Sequence, residues 1–479
     1  MLRAMALRFV LNGEPIALEA SDPRTSLLQW LRDSGRTGSK EGCAEGECGA
    51  CAVAMLQTDA HGRPAYRAIN SCLVPLASVA GREVVTVEGV TPRDGTLHPV
   101  QRALIDTGGS QCGYCTPGFV ISLFCEHHRP GRDGYDPAAI SGNLCRCTGY
   151  RPIADAARAL AGEASQASDA QLVPLRRAPT PLGACAHEGG GAHFVRPDTL
   201  DDLLAERAAY PDALLLSGGT DVMVDPGRRA ARPTRLLSLE GVRALAHFTV
   251  EPHALSIGAG LTLSALEEHL AAHASLVPML RQLLPLFSSR LIKNRATLGG
   301  NLQNASPIGD AAPCLLALDA ALTLVSVRGT RRLPLRAFFR GYRQTALAPD
   351  ELILSVHVPL PTSRHQRFYK VSKRVLDDIA TVSAAFALDL APDATIARLA
   401  VAYGGVAATP LHVDLDLARG LPFASDATSR ALADAVTRAG TPQDDARGSA
   451  PYRRAMMGRL LEKFWHEVEG DLTREERAP

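Results

Sequence analysis

The placement of cysteine constrains this chain more than any other sequence feature. Eight of the eleven cysteines lie in two compact groups before residue 150, whereas Cys125, Cys185 and Cys314 are scattered. Clustered thiols indicate metal ligands or redox centres, and scattered thiols are typical of buried apolar positions. Because each group has to converge in space, the sequence predicts two small metal-binding units at the start of the chain.

The first thiol group consists of Cys43, Cys48, Cys51 and Cys72. The first three form a C-x4-C-x2-C array, which is the spacing with which plant-type ferredoxins bind a [2Fe–2S] cluster. Interleaved glycines allow this loop to curl so that backbone N–H groups point at the sulfur atoms. A zinc site is the alternative, but zinc usually takes C-x2-C pairs, so the spacing favours the cluster.

The second thiol group consists of Cys112, Cys115, Cys145 and Cys147, in a C-x2-C pair and a C-x-C pair. Each pair precedes a predicted helix, whose N-terminal dipole favours thiolates. Taken alone, these spacings fit a second iron–sulfur cluster, a zinc site or a redox disulfide. Their position after a ferredoxin-type unit favours a second cluster.

The rest of the chain contains two glycine-rich segments of interest. Residues 214–224 read as a buried strand that runs into a glycine turn, and residues 296–310 read as a second such turn. Most two-glycine turns are only turns, but two in one domain suggest a diphosphate held by backbone N–H groups, as in a dinucleotide. Residues 161–190, rich in Ala, Ser, Pro and Gly, predict a linker.

Composition excludes several classes of function. The net charge of +1 gives no field that favours nucleic acid, and no apolar run approaches a membrane span. The N-terminus lacks a secretory pattern and predicts a β-hairpin about Asn12-Gly13, so we expect a cytoplasmic protein. Residues 452–469 predict an amphipathic helix that packs against a core. His127 and His128 have no ligand spacing and are interpreted as surface or core residues.

The cysteine motifs together resemble the two-cluster domain of the molybdenum hydroxylases, a family that includes xanthine dehydrogenase, aldehyde oxidase and carbon monoxide dehydrogenase. The resemblance lies in the segment from Gly42 to Cys51, in Cys72, and in the segments QCGYCTPG and NLCRCTGYRPI. All eight cysteines match ligand positions, which implies two [2Fe–2S] clusters. The resemblance also implies a β-grasp ferredoxin domain over residues 1–87 and a four-helix-bundle domain over residues 88–160.

The glycine-rich segments and FYKVSKRVLDDIA resemble the FAD domain of the same family, which has the vanillyl-alcohol-oxidase-type fold. The resemblance implies an α+β multidomain chain with an FAD domain over residues 191–362 and a C-terminal α+β domain over residues 363–479. The adenosine diphosphate part would be held by Leu214, Leu215, Leu216, Ser217, Gly218, Gly219, Thr220, Asp221 and Val222. The remaining FAD contacts would be Phe287 beside the ring, Thr297, Gly300, Asn301 and Asp310 at the diphosphate and ribityl groups, Leu354, and Lys370 near the ring. For Lys370, a solvated surface lysine is the alternative.

The resemblance implies an electron-transfer subunit of the xanthine dehydrogenase type. Electrons from a molybdenum cofactor on a molybdopterin-binding large subunit would pass through the helical-domain cluster, the ferredoxin cluster and FAD to NAD, as hypoxanthine and xanthine become urate. No molybdopterin segment and no catalytic acid–base residue are expected in the chain. We expect a dimer of heterodimers. The alternatives are an aldehyde or N-heterocycle dehydrogenase subunit, or a stand-alone NADH-oxidising iron–sulfur flavoprotein.

Overall fold

The structure is a computed structural model that describes residues 3–92, 94–162, 172–224 and 233–476. The chain divides into two compact units. Unit 1 comprises Met1–Ala244, Thr262–Leu266 and Ser288–Thr297, and unit 2 comprises Leu245–Leu261, Glu267–Phe287 and Leu298–Pro479.

Both units contain helices and strands. The α-helices are Leu27–Asp33, Pro99–Asp106, Thr116–His127, Arg151–Ala159, Leu172–Leu175, Leu200–Ala209, Leu263–Ala272, Pro278–Leu283, Arg290–Lys293, Leu298–Gln303, Ala311–Ala317, Asp426–Ala439 and Ala450–Glu476. The strands are β1 (Leu7–Leu11), β2 (Glu14–Leu18), β3 (Ala52–Thr58), β4 (Pro64–Asn70), β5 (Glu83–Val85), β6 (Cys185–Gly189), β7 (Ala192–Arg196), β8 (Leu214–Leu216), β9 (Arg235–Ser238), β10 (Phe248–Val250), β11 (Ala254–Gly258), β12 (Ala321–Ser326), β13 (Gly329–Pro334), β14 (Phe339–Gly341), β15 (Gln344–Thr345), β16 (Leu352–Pro359), β17 (His365–Val371), β18 (Val382–Leu390), β19 (Ile396–Gly404) and β20 (Leu411–Val413).

Unit 1 begins with a five-stranded mixed sheet in the order β2-β1-β5-β3-β4. The β1–β2 hairpin closes through Asn12 and Gly13, both with positive φ, as the Asn-Gly sequence predicts. Strand β5 pairs parallel to β1, and the helix Leu27–Asp33, capped by the Ser26 hydroxyl, buries Leu27 and Leu31 in the same core as β1. This arrangement confirms the predicted β-grasp ferredoxin fold.

The helical region of unit 1 contains the α-helices Pro99–Asp106, Thr116–His127 and Arg151–Ala159, together with a 3₁₀ turn at Pro137–Ile140. The two helices predicted beside the second thiol group are confirmed. Between the helices Thr116–His127 and Arg151–Ala159, the structure describes the short 3₁₀ turn Pro137–Ile140 and no fourth long helix. The helices pack with one face of the ferredoxin sheet, so the two regions share a core.

The adjacent histidines of this region lie in the core, as one of the two predicted interpretations requires. His127 and His128 are 3% and 4% exposed, and His128 Nε2 lies 3.2 Å from His98 Nε2. His98 also caps the helix Pro99–Asp106, because its Nδ1 accepts a hydrogen bond from the Val100 N–H. His98 and His128 therefore link the start of the helix Pro99–Asp106 to the end of the helix Thr116–His127 inside the core.

A second sheet of unit 1 has the order β6-β7-β9-β8, with β7, β9 and β8 mutually parallel and β6 antiparallel to β7. Strand β6 lies inside the range predicted as a linker, so the prediction was wrong for Cys185–Gly189. The segment has no run of β-branched or aromatic residues to indicate a strand. It pairs with β7 because the intervening glycines form a tight turn, in which Gly190 and Gly191 have positive φ.

Unit 2 contains three antiparallel sheets, with the orders β10-β11-β16-β12-β13, β14-β15 and β17-β18-β19-β20. The helices Asp426–Ala439 and Ala450–Glu476 bury their apolar residues in one core with the last of these sheets. The predicted apolar stripe of the C-terminal helix is confirmed, since Leu461, Phe464 and Trp465 are at most 1% exposed. The predicted α+β multidomain class is therefore observed.

One predicted turn is a helix. Residues 296–310 were expected to form a glycine-rich loop, but Leu298–Gln303 is helical. A Cβ atom on Gly299 would lie 2.6 Å from the Ala259 Cβ atom, so the glycine permits close packing against the segment around Ala259 rather than a turn. In the parts of the chain that the structure describes, no helix combines the length and the apolarity needed to cross a membrane.

Replacing Phe464 by alanine should destabilise the C-terminal region by about 3–5 kcal/mol, because it removes a buried ring and leaves a cavity. The Phe464 ring stacks on Phe386 with centroids 5.0 Å apart. Calorimetric thermal unfolding of the full chain measures the change. His466→Ala is the control, since that side chain lies on the same helix and is 73% exposed. Equal losses in the two variants would contradict the assigned core.

Candidate functional site

The first thiol group is half buried. Cys51 and Cys72 are 2% and 4% exposed, and their sulfur atoms lie 3.4 Å apart. The Cys43 sulfur accepts hydrogen bonds from the backbone N–H groups of Glu45 and Cys48, each at 3.4 Å. The predicted loop with N–H groups directed at sulfur is therefore present, and such donors stabilise thiolates and anionic clusters.

The thiols of the first thiol group interact in two pairs. A hydrogen bond from the Cys48 thiol, supported by backbone N–H groups, lowers the pKa of Cys43 to about 5, and the same contact raises the pKa of Cys48. Likewise, the Cys72 thiol lowers the pKa of Cys51, whereas the pKa of Cys72 is raised. Within each pair, the contact between the sulfur atoms favours the thiolate form of one cysteine, and the thiolate is the form that binds a metal.

Glycine is required where this loop meets the helical region. Gly49 has φ +65°, and a Cβ atom on it would lie 2.2 Å from the Gly142 carbonyl oxygen. The Asn143 side-chain amide donates to the Gly49 carbonyl at 3.3 Å, and the Leu144 N–H donates to the Cys48 carbonyl at 3.0 Å. Because Leu144 directly precedes Cys145, these contacts hold the two thiol groups next to each other.

The second thiol group lies at helix N-termini, as predicted. Cys115 is the N-cap residue of the helix Thr116–His127, and the Cys145 sulfur contacts the Thr148 hydroxyl at 3.1 Å. Burial and the neighbouring Cys145 raise the pKa of Cys115 to about 12. Burial tends to raise the pKa of Cys145, but hydrogen bonds from Thr148 outweigh it and lower the pKa. Cys112 and Cys147, both exposed, form the other pair.

The pairwise arrangement of thiols fits a cluster of two irons, each of which takes two thiolates. Among the described residues, which include every cysteine, no group of three or more His, Cys, Asp or Glu side chains is arranged to hold a single metal ion. The four sulfur atoms of each group could hold such a cluster, and the backbone N–H groups of Cys48 and Thr148 donate to the sulfur atoms of Cys43 and Cys145.

The flavin residues predicted in unit 1 lie on β8 and the turn that follows it. A Cβ atom on Gly218 would lie 1.9 Å from the Arg295 carbonyl oxygen, and Gly219 has φ +79°, so both positions require glycine. Leu214, Leu216 and Val222 line a cavity of about 380 Å³ that Cys72 also lines. Thr297, also in unit 1, is buried and bridges to Thr262.

In unit 2, the side chain of Lys370 is buried, so Lys370 is not a solvated surface lysine. Its side chain is 3% exposed, and its ammonium group contacts Asp310 at 2.8 Å and the Leu286 carbonyl at 3.0 Å. Burial raises the pKa of Asp310 despite this contact. Asn301 Oδ1 is buried and has no hydrogen-bond partner among the described residues, and the buried Asp310 Oδ1 has only the nearby Ser383 hydroxyl, without good hydrogen-bond geometry. Two such acceptors fit the hydroxyl donors of a sugar-alcohol chain such as the ribityl group.

The remaining predicted contacts of unit 2 occupy irregular positions. Leu354 is the additional residue of a β-bulge in β16, since its neighbours Ile353 and Ser355 pair with consecutive residues of β12. Phe287 follows the 3₁₀ turn Leu284–Leu286 and is partly exposed. Gly300 lies within the helix Leu298–Gln303 rather than in a loop.

Sequence reasoning missed three charged residues of unit 1, one of which contacts the Gly218 turn. Arg82, Glu240 and Arg295 form a buried ion network, and Arg295 Nε lies 3.3 Å from the Gly218 carbonyl oxygen. These residues are isolated in sequence and follow no motif, so only the folded structure reveals them.

Four family models match the chain in order. They are the 2Fe-2S iron-sulfur cluster binding domain over residues 9–77, the [2Fe-2S] binding domain over 86–158, the FAD binding domain in molybdopterin dehydrogenase over 189–361, and the CO dehydrogenase flavoprotein C-terminal domain over 367–468. The chain is 32% identical to the xanthine dehydrogenase of Emericella nidulans, over 96% of this chain and 38% of that protein.

The chain belongs to the iron–sulfur/FAD subunits of the molybdenum hydroxylase family. It is also 32% identical to the xanthine dehydrogenase/oxidase of Mus musculus, over 84% of this chain and 34% of that protein. The chain therefore spans little more than a third of the length of these relatives. This molybdenum hydroxylase subunit contains two [2Fe–2S]-binding domains and an FAD-binding domain, and it is the electron-transfer module of an oxidoreductase.

Solved structures of the family resemble the subunit over part of its length. The carbon monoxide dehydrogenase from Hydrogenophaga pseudoflava, which lacks the Mo-pyranopterin moiety of its cofactor, is 25% identical with a TM-score of 0.53, over 56% of this chain and 94% of that chain. The quinoline 2-oxidoreductase from Pseudomonas putida 86 is 25% identical with a TM-score of 0.52, over 57% and 96%.

Cys145→Ser should abolish one of two EPR signals of the reduced subunit and leave the other, because Cys145 belongs only to the second thiol group. The unaltered subunit should contain about four irons per chain with equal acid-labile sulfide. Cys185→Ser, which changes a thiol outside both groups, should retain both signals. One zinc ion per group in place of iron would contradict the assignment.

Asp310→Asn should lower the retention of FAD, since it leaves the Lys370 ammonium buried without its carboxylate. Removing one partner of such a pair costs about 3–5 kcal/mol. The ratio of flavin to protein, read from absorbance, should fall while the iron content stays constant. Asp319→Asn is the control, because Asp319 pairs with Arg398 at a side chain that is 51% exposed. Full retention of FAD in the Asp310 variant would show that this carboxylate does not support the flavin.

Proposed function

We propose that this subunit transfers electrons within a xanthine dehydrogenase, from a molybdopterin-binding large subunit through two clusters and FAD to NAD, as hypoxanthine and xanthine are oxidised to urate. The main support for this proposal is that 96% of the chain, with its cluster and flavin segments, aligns with a xanthine dehydrogenase at 32% identity. The structure adds two paired thiol groups and two buried acceptors suited to a flavin.

The proposed cluster ligands are the eight cysteines of the two thiol groups. When bound, the clusters supply one-electron transfer and FAD links it to two-electron chemistry. The residues of this chain hold these groups and exclude water. Cys51 and Cys72 are shielded from solvent, and the hydrogen bond from Leu144 to the Cys48 carbonyl fixes the spacing between the groups. Short, fixed spacing suits electron transfer.

The proposed FAD contacts are the residues predicted from the sequence, with two refinements. Gly300 would act from a helix, and Lys370 would act as the buried partner of Asp310.

The proposed domain limits are 1–87, 88–160, 191–362 and 363–479, and the proposed linker ends before β6. No disulfide joins any of the eleven cysteines, which supports a proposed location in the reducing cytoplasm.

We propose that NAD approaches next to the segment that follows Lys370. Residues 372–379 form an irregular loop on which Val375, Leu376 and Ile379 are 74%, 42% and 42% exposed. Exposed apolar side chains concentrated on one loop favour contact with a ligand or a partner. The neighbouring Lys370 is held by Asp310, so this loop starts from a fixed point.

The proposed docking face for the large subunit surrounds the exposed cysteines of the second thiol group. Gln111, Cys112 and Cys147 are exposed there, together with apolar residues. The exposed apolar side chains are Tyr114 (50%), Leu144 (44%) and Tyr150 (39%). Such a patch is typical of a surface that a partner covers. A dimer of such heterodimers is the proposed assembly.

A subunit of an N-heterocycle or aldehyde dehydrogenase is the second candidate. The similarity to a quinoline 2-oxidoreductase with a TM-score of 0.52 favours it. Under this alternative, the electron-transfer role of the chain is unchanged and the large subunit selects another substrate.

The subunit alone should reduce an artificial dye with NADH but should not oxidise xanthine, hypoxanthine or an aldehyde, and the large subunit should restore substrate oxidation. Arg146→Glu places a negative charge on the exposed face beside Cys147, so it should impair assembly or xanthine-to-NAD transfer and spare NADH-to-dye activity. Arg340→Glu, an equal charge reversal at an exposed residue of unit 2, should affect neither.

Three results would contradict parts of this proposal. Turnover of xanthine by the subunit alone would place substrate oxidation on this chain. Loss of only the dye reaction in the Arg146 variant would displace the docking face. Oxidation of quinoline or aldehydes, but not of xanthine, by the reconstituted complex would select the second candidate.

A further inference from the structure

A single carboxylate in unit 1 is held between two arginines far from it in sequence. Arg82 and Arg295 both donate to the Glu240 side chain, and all three side chains are at most 9% exposed. Arg295 engages both carboxylate oxygens, with its Nη1 atom 3.3 Å from Oε2. Arg82 precedes β5 of the ferredoxin sheet, and Glu240 follows β9. The carboxylate therefore joins the ferredoxin segment to the flavin segment.

Arg295 also contacts the glycine turn after β8. Its Nε atom donates to the Gly218 carbonyl at 3.3 Å. A Cβ atom on Gly218 would lie only 1.9 Å from the carbonyl oxygen of Arg295. The turn and the backbone of Arg295 are therefore so closely packed that no side chain fits at Gly218. A shift of Arg295 has to shift the turn.

The network carries more positive than negative charge. Arg196 adds a third guanidinium, whose Nη1 atom donates to the Ala80 carbonyl at 2.9 Å. Burial lowers the pKa of Arg82 to about 10; Glu240 opposes this effect, and Arg295 and Arg196 reinforce it. Burial tends to raise the pKa of Glu240, but Arg295 and Arg82 outweigh it and lower the pKa. One carboxylate among three guanidinium groups favours an anion at the neighbouring turn.

We propose that Glu240 is a positioning residue for the diphosphate of FAD. Glu240, fixed by Arg82, orients the Arg295 guanidinium, and Arg295 in turn sets the position of the Gly218 turn and the charge beside it. This inference rests on the proposed function, because it takes that turn as the diphosphate site. The inference adds Arg82, Glu240 and Arg295 to the site, and none of the three has to contact the cofactor.

Two substitutions separate the positioning role from the ion pair itself. Glu240→Gln removes the negative charge and replaces one of the two acceptor oxygens by an NH₂ group, which opposes an arginine donor. Arg295→Lys keeps a cation opposite Glu240 but has no counterpart of the Nε donor to Gly218, because lysine lacks the guanidinium fork. Arg331→Lys is the matched control, since Arg331 likewise binds both oxygens of a buried glutamate, Glu351, and the Ala346 carbonyl.

The experiment measures FAD affinity of the full chain by fluorescence titration after the flavin has been removed. Each of the two variants should bind FAD at least about tenfold more weakly, the size expected for a lost hydrogen bond to a charged group. Binding of ADP should weaken in parallel, whereas binding of adenosine should not change, because adenosine lacks the diphosphate. The iron content and both EPR signals should equal those of the unaltered chain, and Arg331→Lys should bind FAD normally.

The outcomes distinguish this inference from the proposed function. If the unaltered chain binds no FAD, the proposed function and this inference both fail. If it binds FAD and Arg295→Lys binds FAD equally well, the inference is wrong and the proposed function stands. Equal weakening for adenosine, or by Arg331→Lys, would show a general loss of stability and would also overturn the inference. If Glu240→Gln does not fold, Arg295→Lys decides the question.

Discussion

The contact on which unit 1 depends is the packing of Gly49 against two segments of the helical region. Its carbonyl oxygen lies 2.2 Å from where a Cβ atom on Gly118 would be, and its own Cβ position is occupied by the Gly142 carbonyl. Any side chain at these glycines would force the thiol loop away from the helices. This close approach allows Asn143 and Leu144 of the helical region to donate hydrogen bonds to the carbonyl groups of Gly49 and Cys48 in the thiol loop.

Buried charges are handled in two different ways in the two units. In unit 2, Lys370 and Asp310 form a one-to-one pair, and the other carboxylate oxygen has only the nearby Ser383 hydroxyl, without good hydrogen-bond geometry. In unit 1, Glu240 is shared by two arginines, and positive charge is in excess. The first arrangement leaves an acceptor for a hydroxyl donor, whereas the second favours an anion.

The sequence was informative where chemistry depends on local spacing and uninformative where it depends on tertiary contact. The C-x4-C-x2-C array, the Asn12-Gly13 hairpin and the helix after Cys115 follow from neighbouring residues, and the structure contains all three. Leu298–Gln303 was predicted as a turn because glycine pairs usually form turns, but here packing against Ala259 requires the small residue. Glu240 carries no sequence signal, since its two partners are more than fifty residues away on either side.

The deep burial of Cys51 and Cys72 also bears on how the subunit is made. Cys51 lies in the thiol loop and Cys72 in the 3₁₀ turn Ser71–Leu73, and both pack with Leu28, Leu73 and Met223 in one buried cluster. Met223 is synthesised long after the two cysteines. Part of the cover over these thiols is therefore made only after the thiols themselves, which gives incoming iron and sulfide a period of easier access during synthesis.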